Sequence, residues 1–427
     1  MTRIVKPLVS LGLAGVLLGA IGCQPRPSIL VVTLDTLRRD HVGAYGAMPS
    51  PTPQLDALAR EGLVHERAYT TMPTTGPAHL SLFTGRYPSQ LGATRNAVPL
   101  SPRDADRSLA EQLARAGYST GAFVTSPLAA PGATGLPGFG VYEAPAGVLR
   151  AGDDAVDAAL SWLASGNTAR PVFVWLHLYD AHAPYGDMDQ KRRGIPLDES
   201  LYGYVDVASI EAAGGLGAFE ANYARGVAKA DAALGRFVAG AREILAEPLV
   251  IVVADHGESL VEHLATRGYA FDHGEYLDEE AISIPLVVAG PDVSPGRSGG
   301  AASIRDLYTT ILEAAGIGDP TAIAEERRDL RRKSEARRVV AIERRSFERN
   351  TIAGEEEHLA AVSDGKYLVV VDSAFELVAP SGPGTVPPDL ARLAALRAQA
   401  TREAHAKALP VLSPEARDAL RQLGYAE

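Results

Sequence analysis

Three short apolar runs, each followed at once by carboxylate or imidazole side chains, constrain the fold of this 427-residue chain more than any other feature. The runs span residues 29–34, 171–178 and 249–254 and are rich in β-branched residues. Because they are too short for typical helices, they predict buried strands of a parallel sheet. They are followed by Asp35, by Tyr179-Asp180-Ala181-His182 and by Asp255-His256. Ligands bind at the carboxyl ends of parallel strands, so three such ends predict a metal site rather than three unrelated turns.

A further segment, Thr75-Gly76-Pro77-Ala78-His79, predicts the start of a helix. Pro77 suits the first helical position, and Gly85 suits the residue after the helix end. We therefore expect Thr75 at or just before the N-cap, beside unpaired amides and the positive end of the helix dipole. That place suits an anionic nucleophile or an anionic substrate. Threonine is also a common helix cap, so the segment alone leaves both roles open.

Together these segments resemble the motifs of the alkaline phosphatase/sulfatase superfamily. The run from Thr75 to Pro88 resembles the sulfatase signature, Cys-x-Pro-x-Arg followed by a helix that ends in Thr-Gly-Arg-Tyr-Pro. The segments around Asp35, His177 to Tyr185, and Asp255-His256-Gly257-Glu258 resemble its other motifs in the same order. The resemblance implies an α/β, alkaline phosphatase-like, three-layer fold with a mostly parallel central sheet, and a small C-terminal antiparallel sheet subdomain.

The chain departs from the formylglycine sulfatases at the nucleophile. Those enzymes oxidise the signature cysteine to formylglycine, which a threonine cannot form. The single cysteine of the chain, Cys23, lies far from the motif. His79 stands in the arginine position of the signature, and Thr36 stands where many sulfatases have a second aspartate. With a histidine after Asp255, the site is more similar to the phosphodiesterase and phosphoethanolamine-transferase branches, which use threonine.

The resemblance also implies residue roles. Asp35, Asp255 and His256 would be metal ligands, with Thr75 as fourth ligand and nucleophile. His182 and His273 match positions that contact the transferred group or the leaving oxygen. The mixed oxygen and nitrogen ligands favour zinc or manganese, with calcium as an alternative. One metal is our expectation, and the residues considered for a second metal or for substrate are Asp180, His79 and His263. His177, which alternates within its apolar run, we interpret as a core histidine.

The N-terminus predicts export. Residues 1–22 combine a basic start with an apolar stretch too short for a comfortable membrane span, which is typical of a signal peptide. The sequence before Cys23 is similar to a bacterial lipobox, so we expect a lipid on Cys23 and a linker over residues 23–28. An uncleaved anchor helix is the alternative. Either reading predicts an extracytoplasmic protein held to the cell envelope, in the outer membrane or periplasm.

The rest of the chain divides by composition. We expect a catalytic domain over residues 29–320, a charged linker over 321–338 and a C-terminal subdomain over 339–427. The Gly-rich stretch 188–219 is placed to be a lid insertion. A net charge of −11 argues against nucleic acid as a partner.

These features predict a hydrolase that cleaves phosphate esters, with sulfate esters as the second choice, through a covalent intermediate on Thr75. A small-molecule or envelope ester is the expected substrate. Two alternatives remain. The first is a phosphoethanolamine-type head-group transferase, and the second is a non-catalytic binding lipoprotein of the same fold. The second has against it that a set of buried carboxylates is costly to keep without a ligand.

Overall fold

The structure is a computed structural model and describes residues 26–145, 149–182, 205–206, 215–274, 276–318, 327–345, 359–372 and 376–405. The expected signal peptide and Cys23 lie outside the described residues. So do most of the expected lid (188–219) and the C-terminal segment from residue 406.

The chain forms seventeen described strands, numbered here in chain order. They are β1 (Ile29–Leu34), β2 (Leu63–His65), β3 (Ala68–Tyr69), β4 (Ser119–Val124), β5 (Val141–Glu143), β6 (Val172–Leu178), β7 (Val205–Asp206), β8 (Leu249–Ala254), β9 (Tyr269–Ala270), β10 (Ser283–Ile284), β11 (Leu286–Ala289), β12 (Gly296–Ser298), β13 (Ala302–Ser303), β14 (Val340–Glu343), β15 (Ala360–Ser363), β16 (Leu368–Val371) and β17 (Leu377–Ser381).

The described α-helices are α1 (Pro53–Glu61), α2 (Thr75–Thr84), α3 (Pro88–Leu91), α4 (Pro102–Ala105), α5 (Leu109–Arg115), α6 (Pro131–Thr134), α7 (Gly152–Ala164), α8 (Leu216–Ile244), α9 (Leu264–Arg267), α10 (Glu279–Ile282), α11 (Asp306–Ala314) and α12 (Pro388–His405). Short 3-10 helices span Arg39–His41, Gly43–Tyr45, Pro127–Ala129 and Asn167–Ala169. None of the described helices is both long enough and apolar enough to cross a membrane.

The central sheet has eight strands in the order β12-β2-β11-β8-β1-β6-β4-β5. β1 pairs in parallel with both β6 and β8, and β11 is antiparallel to its two neighbours. All residues of β1, β6 and β8 are buried, as expected for strands covered on both faces. The three apolar runs are therefore the centre of a mostly parallel sheet, and the predicted fold class is confirmed.

Helices cover this sheet in two groups. Helix α7 packs on β4 and β6 and contacts the long helix α8, which in turn contacts α1. Helices α2, α5 and α11 contact one another in the second group. All ten residues of α2 are buried, which is unusual for a helix of a globular domain and places its first residue deep in the protein.

The C-terminal part forms a separate four-stranded antiparallel sheet in the order β14-β15-β16-β17. Helix α12 packs on β14, β15 and β16. Residues 364–367 form the turn that joins β15 to β16, and Gly365 within it has a positive φ of 83°. Helix α12 also contacts α3, which connects this sheet to the segment that follows α2.

Candidate active site and metal centre

The first two candidate metal ligands follow neighbouring strands at one edge of the sheet. In the parallel register, Leu34 of β1 lies opposite Ala254 of β8, so Asp35 and Asp255 are the next residues of two adjacent strands. Both side chains are completely buried, as is that of His256. One ligand atom from each of Asp35, Asp255 and His256 lies within 4.8 Å of the others. The structure thus brings these three predicted ligands together.

Two unsatisfied carboxylate oxygens and one imidazole nitrogen converge within this group. Oδ1 of Asp35 and Oδ2 of Asp255 are buried and have no hydrogen-bond partner. They lie 3.8 Å and 3.6 Å from Nε2 of His256. Nδ1 of His256 donates to the Gly257 carbonyl at 2.9 Å, so its Nε2 carries the lone pair. Two unpaired carboxylate oxygens and an imidazole lone pair that face one point fit a divalent metal ion.

The pKa values of Asp35, Asp255 and His256 are all raised. Burial raises the pKa of Asp35 to about 7, although the nearby His256 lowers it. Burial and the charge of Asp35 also raise the pKa of Asp255. Burial alone would lower the pKa of His256, but the two carboxylates raise it. Two carboxylates that are buried together are stabilised in their charged form by a nearby cation, and a divalent metal would supply one.

Thr75 lies beside this group. Its Oγ1 is 3.4 Å from Nε2 of His256, and the side chain is fully buried. The helix begins two residues earlier than predicted, because Thr75 is the first residue of α2 and Thr74 is the N-cap. Pro77 is accordingly the third helical residue, where its missing N–H is still not needed. Thr75 does not occupy the cap position that the sequence left open.

His79, which stands in the arginine position of the sulfatase signature, is hydrogen-bonded to the Thr75 backbone. Nδ1 of His79 donates to the Thr75 carbonyl at 2.7 Å, and its Nε2 accepts from the Thr33 hydroxyl at 3.0 Å. The Trp175 indole donates to the same hydroxyl at 2.9 Å. Burial lowers the pKa of His79 to about 4, so the imidazole is neutral. With both nitrogens engaged, His79 fixes the backbone of Thr75.

His177 is a completely buried histidine of β6 that contacts Asp35. Its Nε2 donates to Oδ2 of Asp35 at 3.0 Å. Burial lowers the pKa of His177 to about 4. His79, His177 and Asp255 also form a possible ligand group, but the hydrogen bonds of the two imidazoles indicate a supporting role. An imidazole that donates to a carboxylate orients it, so His177 is a buried histidine with satisfied hydrogen bonds, as expected, and it also positions Asp35.

His182 and His273 lie together on one side of the metal group. The His273 ring is 4.5 Å from the His256 ring and 5.1 Å from the His182 ring, between centroids. The His182 ring stacks on Tyr179 at 4.1 Å. Nδ1 of His273 donates to Oε1 of Glu258 at 3.1 Å. Burial, the charge of His256 and that of Arg345 lower the pKa of His273 well below its usual range.

Two residues considered for a second metal lie elsewhere. Asp180 accepts the N–H of Gly152 at 3.4 Å and belongs to neither ligand group around Asp255. Burial raises the pKa of Asp180 to about 6. His263 forms a separate cluster with Glu280, at 2.6 Å, and Asp278, at 3.4 Å. Because Arg267 already binds both oxygens of Asp278, that cluster is satisfied without a metal.

Asn96 is a site residue that sequence reasoning missed. Its Oδ1 accepts the N–H of Gly76, next to Thr75, at 2.8 Å. Its Nδ2 is buried and has no partner. The following residue, Ala97, has a φ of 60°, which is costly for a non-glycine residue. A strained turn that holds an amide donor against the start of α2 suits recognition of an oxygen of the substrate, but no local motif marks Asn96.

Known proteins share both the sequence and the fold. A family model described as "Sulfatase" matches residues 27–317, more than half of the chain. The multifunctional alkaline phosphatase superfamily protein PehA of Trinickia caryophylli is 27% identical over 395 residues, which cover 70% of this chain and 75% of that protein. Matches to several other curated sulfatases span only about a fifth of each relative's length.

Solved structures share the fold at low identity. The phosphonate monoester hydrolase of Agrobacterium radiobacter is 18% identical with a TM-score of 0.62, over 89% of this chain and 96% of that one. A protein solved with its substrate D-glucosamine-2-N,6-O-disulfate is 15% identical with a TM-score of 0.69, over 90% of this chain and 100% of that one. Together with the family match and the shared fold, these findings establish that the chain belongs to the sulfatase family of hydrolases.

Proposed function

We propose that this protein is a metal-dependent hydrolase that cleaves phosphate esters through a covalent intermediate on Thr75. The observation that carries the proposal is the place of Thr75 Oγ1, 3.4 Å from Nε2 of His256 and beside the unpaired oxygens of Asp35 and Asp255. These four residues would hold the metal. Their mixed oxygen and nitrogen donors favour zinc or manganese over calcium.

When bound, the metal lowers the pKa of the Thr75 hydroxyl and neutralises charge on the transferred group. The chain itself positions the reactants. His79 holds the Thr75 carbonyl, and His177 holds Asp35. Nδ2 of Asn96, which is buried without a partner, would donate to an oxygen of the phosphoryl group as negative charge develops there.

The covalent step is an in-line displacement. Oγ1 of Thr75 forms a bond to phosphorus as the ester bond to the leaving oxygen breaks. The leaving oxygen needs a proton, and His273 and His182 lie on one side of the ligand group to supply it. An anionic substrate beside His273 raises the pKa that burial had lowered, so the imidazole can be protonated in the complex. Water then attacks the phospho-threonine and releases phosphate.

Phosphate is favoured over sulfate by the chemistry of threonine. A formylglycine hydrate can expel sulfate by collapsing to the aldehyde, whereas a sulfo-threonine must await attack at sulfur. The phosphonate monoester hydrolase named above shares this fold, and its activity supports phosphorus as the reacting centre in this proposal. The preference for phosphate esters over sulfate esters is therefore part of the proposal.

We also propose that the enzyme acts outside the cytoplasm, attached by a lipid on Cys23. The signal-like residues 1–22 and the single cysteine support this location. Growth with a labelled fatty acid, followed by fractionation, tests it. Label in the wild-type protein and none in Cys23→Ser is the expected result, and unlabelled wild-type protein in the cytoplasm contradicts it.

The nucleophile is tested by substitution of Thr75. Wild-type, Thr75→Ala, Thr75→Ser and the control Thr84→Ala are assayed against chromogenic phosphate monoesters, phosphate diesters and sulfate esters, after metal removal and after metal addition. Thr84 lies in the same helix and donates only to the Leu80 carbonyl, so its loss tests general helix damage. We expect metal-dependent phosphoesterase activity that Thr75→Ala abolishes, Thr75→Ser partly retains and Thr84→Ala keeps.

A phosphorylated Thr75 peptide, trapped at low pH and identified by mass spectrometry, is the direct readout. Near wild-type turnover by metal-loaded Thr75→Ala would refute the covalent mechanism. Wild-type activity on sulfate esters alone would refute the assignment of phosphate. Transfer of the phosphoryl group to an added alcohol in preference to water would favour the alternative function, a head-group transferase.

A further inference from the structure

The C-terminal sheet delivers two consecutive arginines, Arg344 and Arg345, to the neighbourhood of the active site. They follow directly after strand β14. The backbone N–H of Glu343, the last residue of β14, donates to the Thr71 carbonyl at 2.8 Å. Thr71 lies only four residues before the nucleophile. The strand end is therefore tied to the segment that leads into α2.

Glu343 strengthens this attachment. Its side chain is completely buried and accepts from the N–H of Ser89 at 2.9 Å and from the Ser89 hydroxyl at 2.6 Å. Arg397 of α12 donates to the same carboxylate at 3.1 Å. Charge-assisted hydrogen bonds from both parts of the protein hold Glu343. The backbone position from which Arg345 extends is thus well defined.

The Arg345 side chain lies against the backbone of Gly274, the residue after His273. A Cβ atom at Gly274 would be 2.6 Å from Cδ and 2.9 Å from Nε of Arg345. The same Cβ would be 3.0 Å from Oγ1 of Thr74, the neighbour of Thr75. Gly274, with a φ of 96°, leaves the space that the arginine stem occupies. Arg345 therefore borders the site on the side of His273.

The charges at the site favour a role for Arg345 in binding an anionic group. Asp35, Asp255 and Glu258 are buried carboxylates, and they repel an anionic ester. Arg345 adds a permanent positive charge with several hydrogen-bond donors, which suits carboxylate, phosphate or sulfate groups.

We propose that Arg345 is a specificity residue that binds a second anionic group, carried by the leaving portion of the ester substrate. The proposal rests on the proposed function, because it takes the transferred group to lie at Thr75 and the leaving oxygen to lie beside His273. A group attached to that oxygen extends past His273 toward Gly274 and Arg345. The substrate class is then an ester whose leaving alcohol is itself an acid.

The experiment compares two leaving groups that differ by one charge. Phenyl phosphate and 4-carboxyphenyl phosphate, or the corresponding sulfates if only these are cleaved, are assayed with wild-type, Arg345→Ala, Arg345→Lys and Arg392→Ala. Arg392 is an exposed arginine of α12 in the same sheet subdomain, so its removal is the matched change in charge. The readout is the ratio of kcat/KM for the carboxylated ester to kcat/KM for the phenyl ester.

We expect wild-type to prefer the carboxylated ester. Loss of a charged hydrogen bond should lower the ratio roughly ten- to hundredfold in Arg345→Ala, chiefly through KM, with partial recovery in Arg345→Lys. Arg392→Ala should keep the wild-type ratio. An Arg345→Ala ratio equal to that of wild-type would overturn the proposal, even if both rates fell. Absence of wild-type activity on any ester would instead refute the proposed function itself.

Discussion

The clearest quantitative test concerns the cost of the paired carboxylates when no metal is bound. Burial raises the pKa of Asp35 from 3.8 to about 7. At roughly 1.4 kcal/mol for each pKa unit, ionised Asp35 costs the metal-free protein about 4 kcal/mol. Between pH 4 and 7 the unfolded chain has lost this proton and the folded chain has kept it. The contribution of Asp35 to the free energy of unfolding of the metal-free protein should therefore fall by about 4 kcal/mol as the pH rises through this window. Because the lowered pKa values of His79 and His177 act in the opposite direction, this contribution is measured as the difference between wild-type and an Asp35 variant.

Asp35→Asn removes the charge and keeps the shape. We expect the stability of the metal-free variant relative to metal-free wild-type to rise by up to about 4 kcal/mol between pH 4 and pH 8, because the variant lacks the Asp35 contribution. It should also lose metal binding, and so gain none of the roughly 2.7 kcal/mol that ligand at a hundred times Kd provides.

Urea unfolding of chelator-treated protein at pH 5 and pH 8, with and without added zinc, measures these free energies of unfolding. Glu220→Gln, which removes an exposed carboxylate of α8, is the control and should follow wild-type. A stability difference between metal-free wild-type and metal-free Asp35→Asn that is the same at both pH values would refute the reasoning. An Asp35→Asn variant that zinc still stabilises would refute the ligand assignment.

Three further substitutions separate the roles in the site. Asp255→Ala should lose both metal and activity, as measured by metal analysis of the purified variant, and full occupancy would contradict its role as ligand. Asn96→Ala should keep the metal but lower kcat/KM about ten- to hundredfold, because a donor to the developing charge is lost; an unchanged kcat/KM would remove Asn96 from the mechanism. His273→Ala should slow esters of poor leaving groups more than esters of good ones. Equal losses across a series of substituted phenyl phosphates would show that His273 does not protonate the leaving oxygen.

The strands that carry the site residues could be predicted because their short apolar sequences are rich in branched residues, which is typical of buried strands. Runs of four or more branched apolar residues must be covered on both faces, and β1, β6 and β8 lie where the runs predicted. The polar residues after them share one edge because the strands are parallel and in register. Strand β11 was not foreseen, because a four-residue apolar segment does not reveal that it inserts antiparallel beside β8.

The start of α2 shows the limit of local rules. Proline tolerates any of the first helical positions whose N–H has no acceptor, so Pro77 restricts the helix start without fixing it. The position of Thr75 is decided by tertiary contacts, among them the hydrogen bond from Gly76 to Asn96 and that from His79 to the Thr75 carbonyl. His177 is the core histidine that its apolar strand predicted, but its hydrogen-bond partner also depends on tertiary contacts. That partner is known only once the neighbouring strand is seen to end in Asp35.

The residues that hold the metal and those that select the substrate therefore differ in how far a sequence can reveal them. Metal ligands sit at strand ends, where the pattern of the strand gives their place. Asn96 lies on a strained turn between helices, and Arg345 lies at the end of a strand in another sheet. Their positions depend on contacts that span 20 residues, in the case of Gly76 and Asn96, and 254 residues, in the case of Ser89 and Glu343. Substitution at such sites can change the substrate without disturbing the central sheet, so a scaffold of this kind can retain its metal chemistry while its leaving-group preference changes.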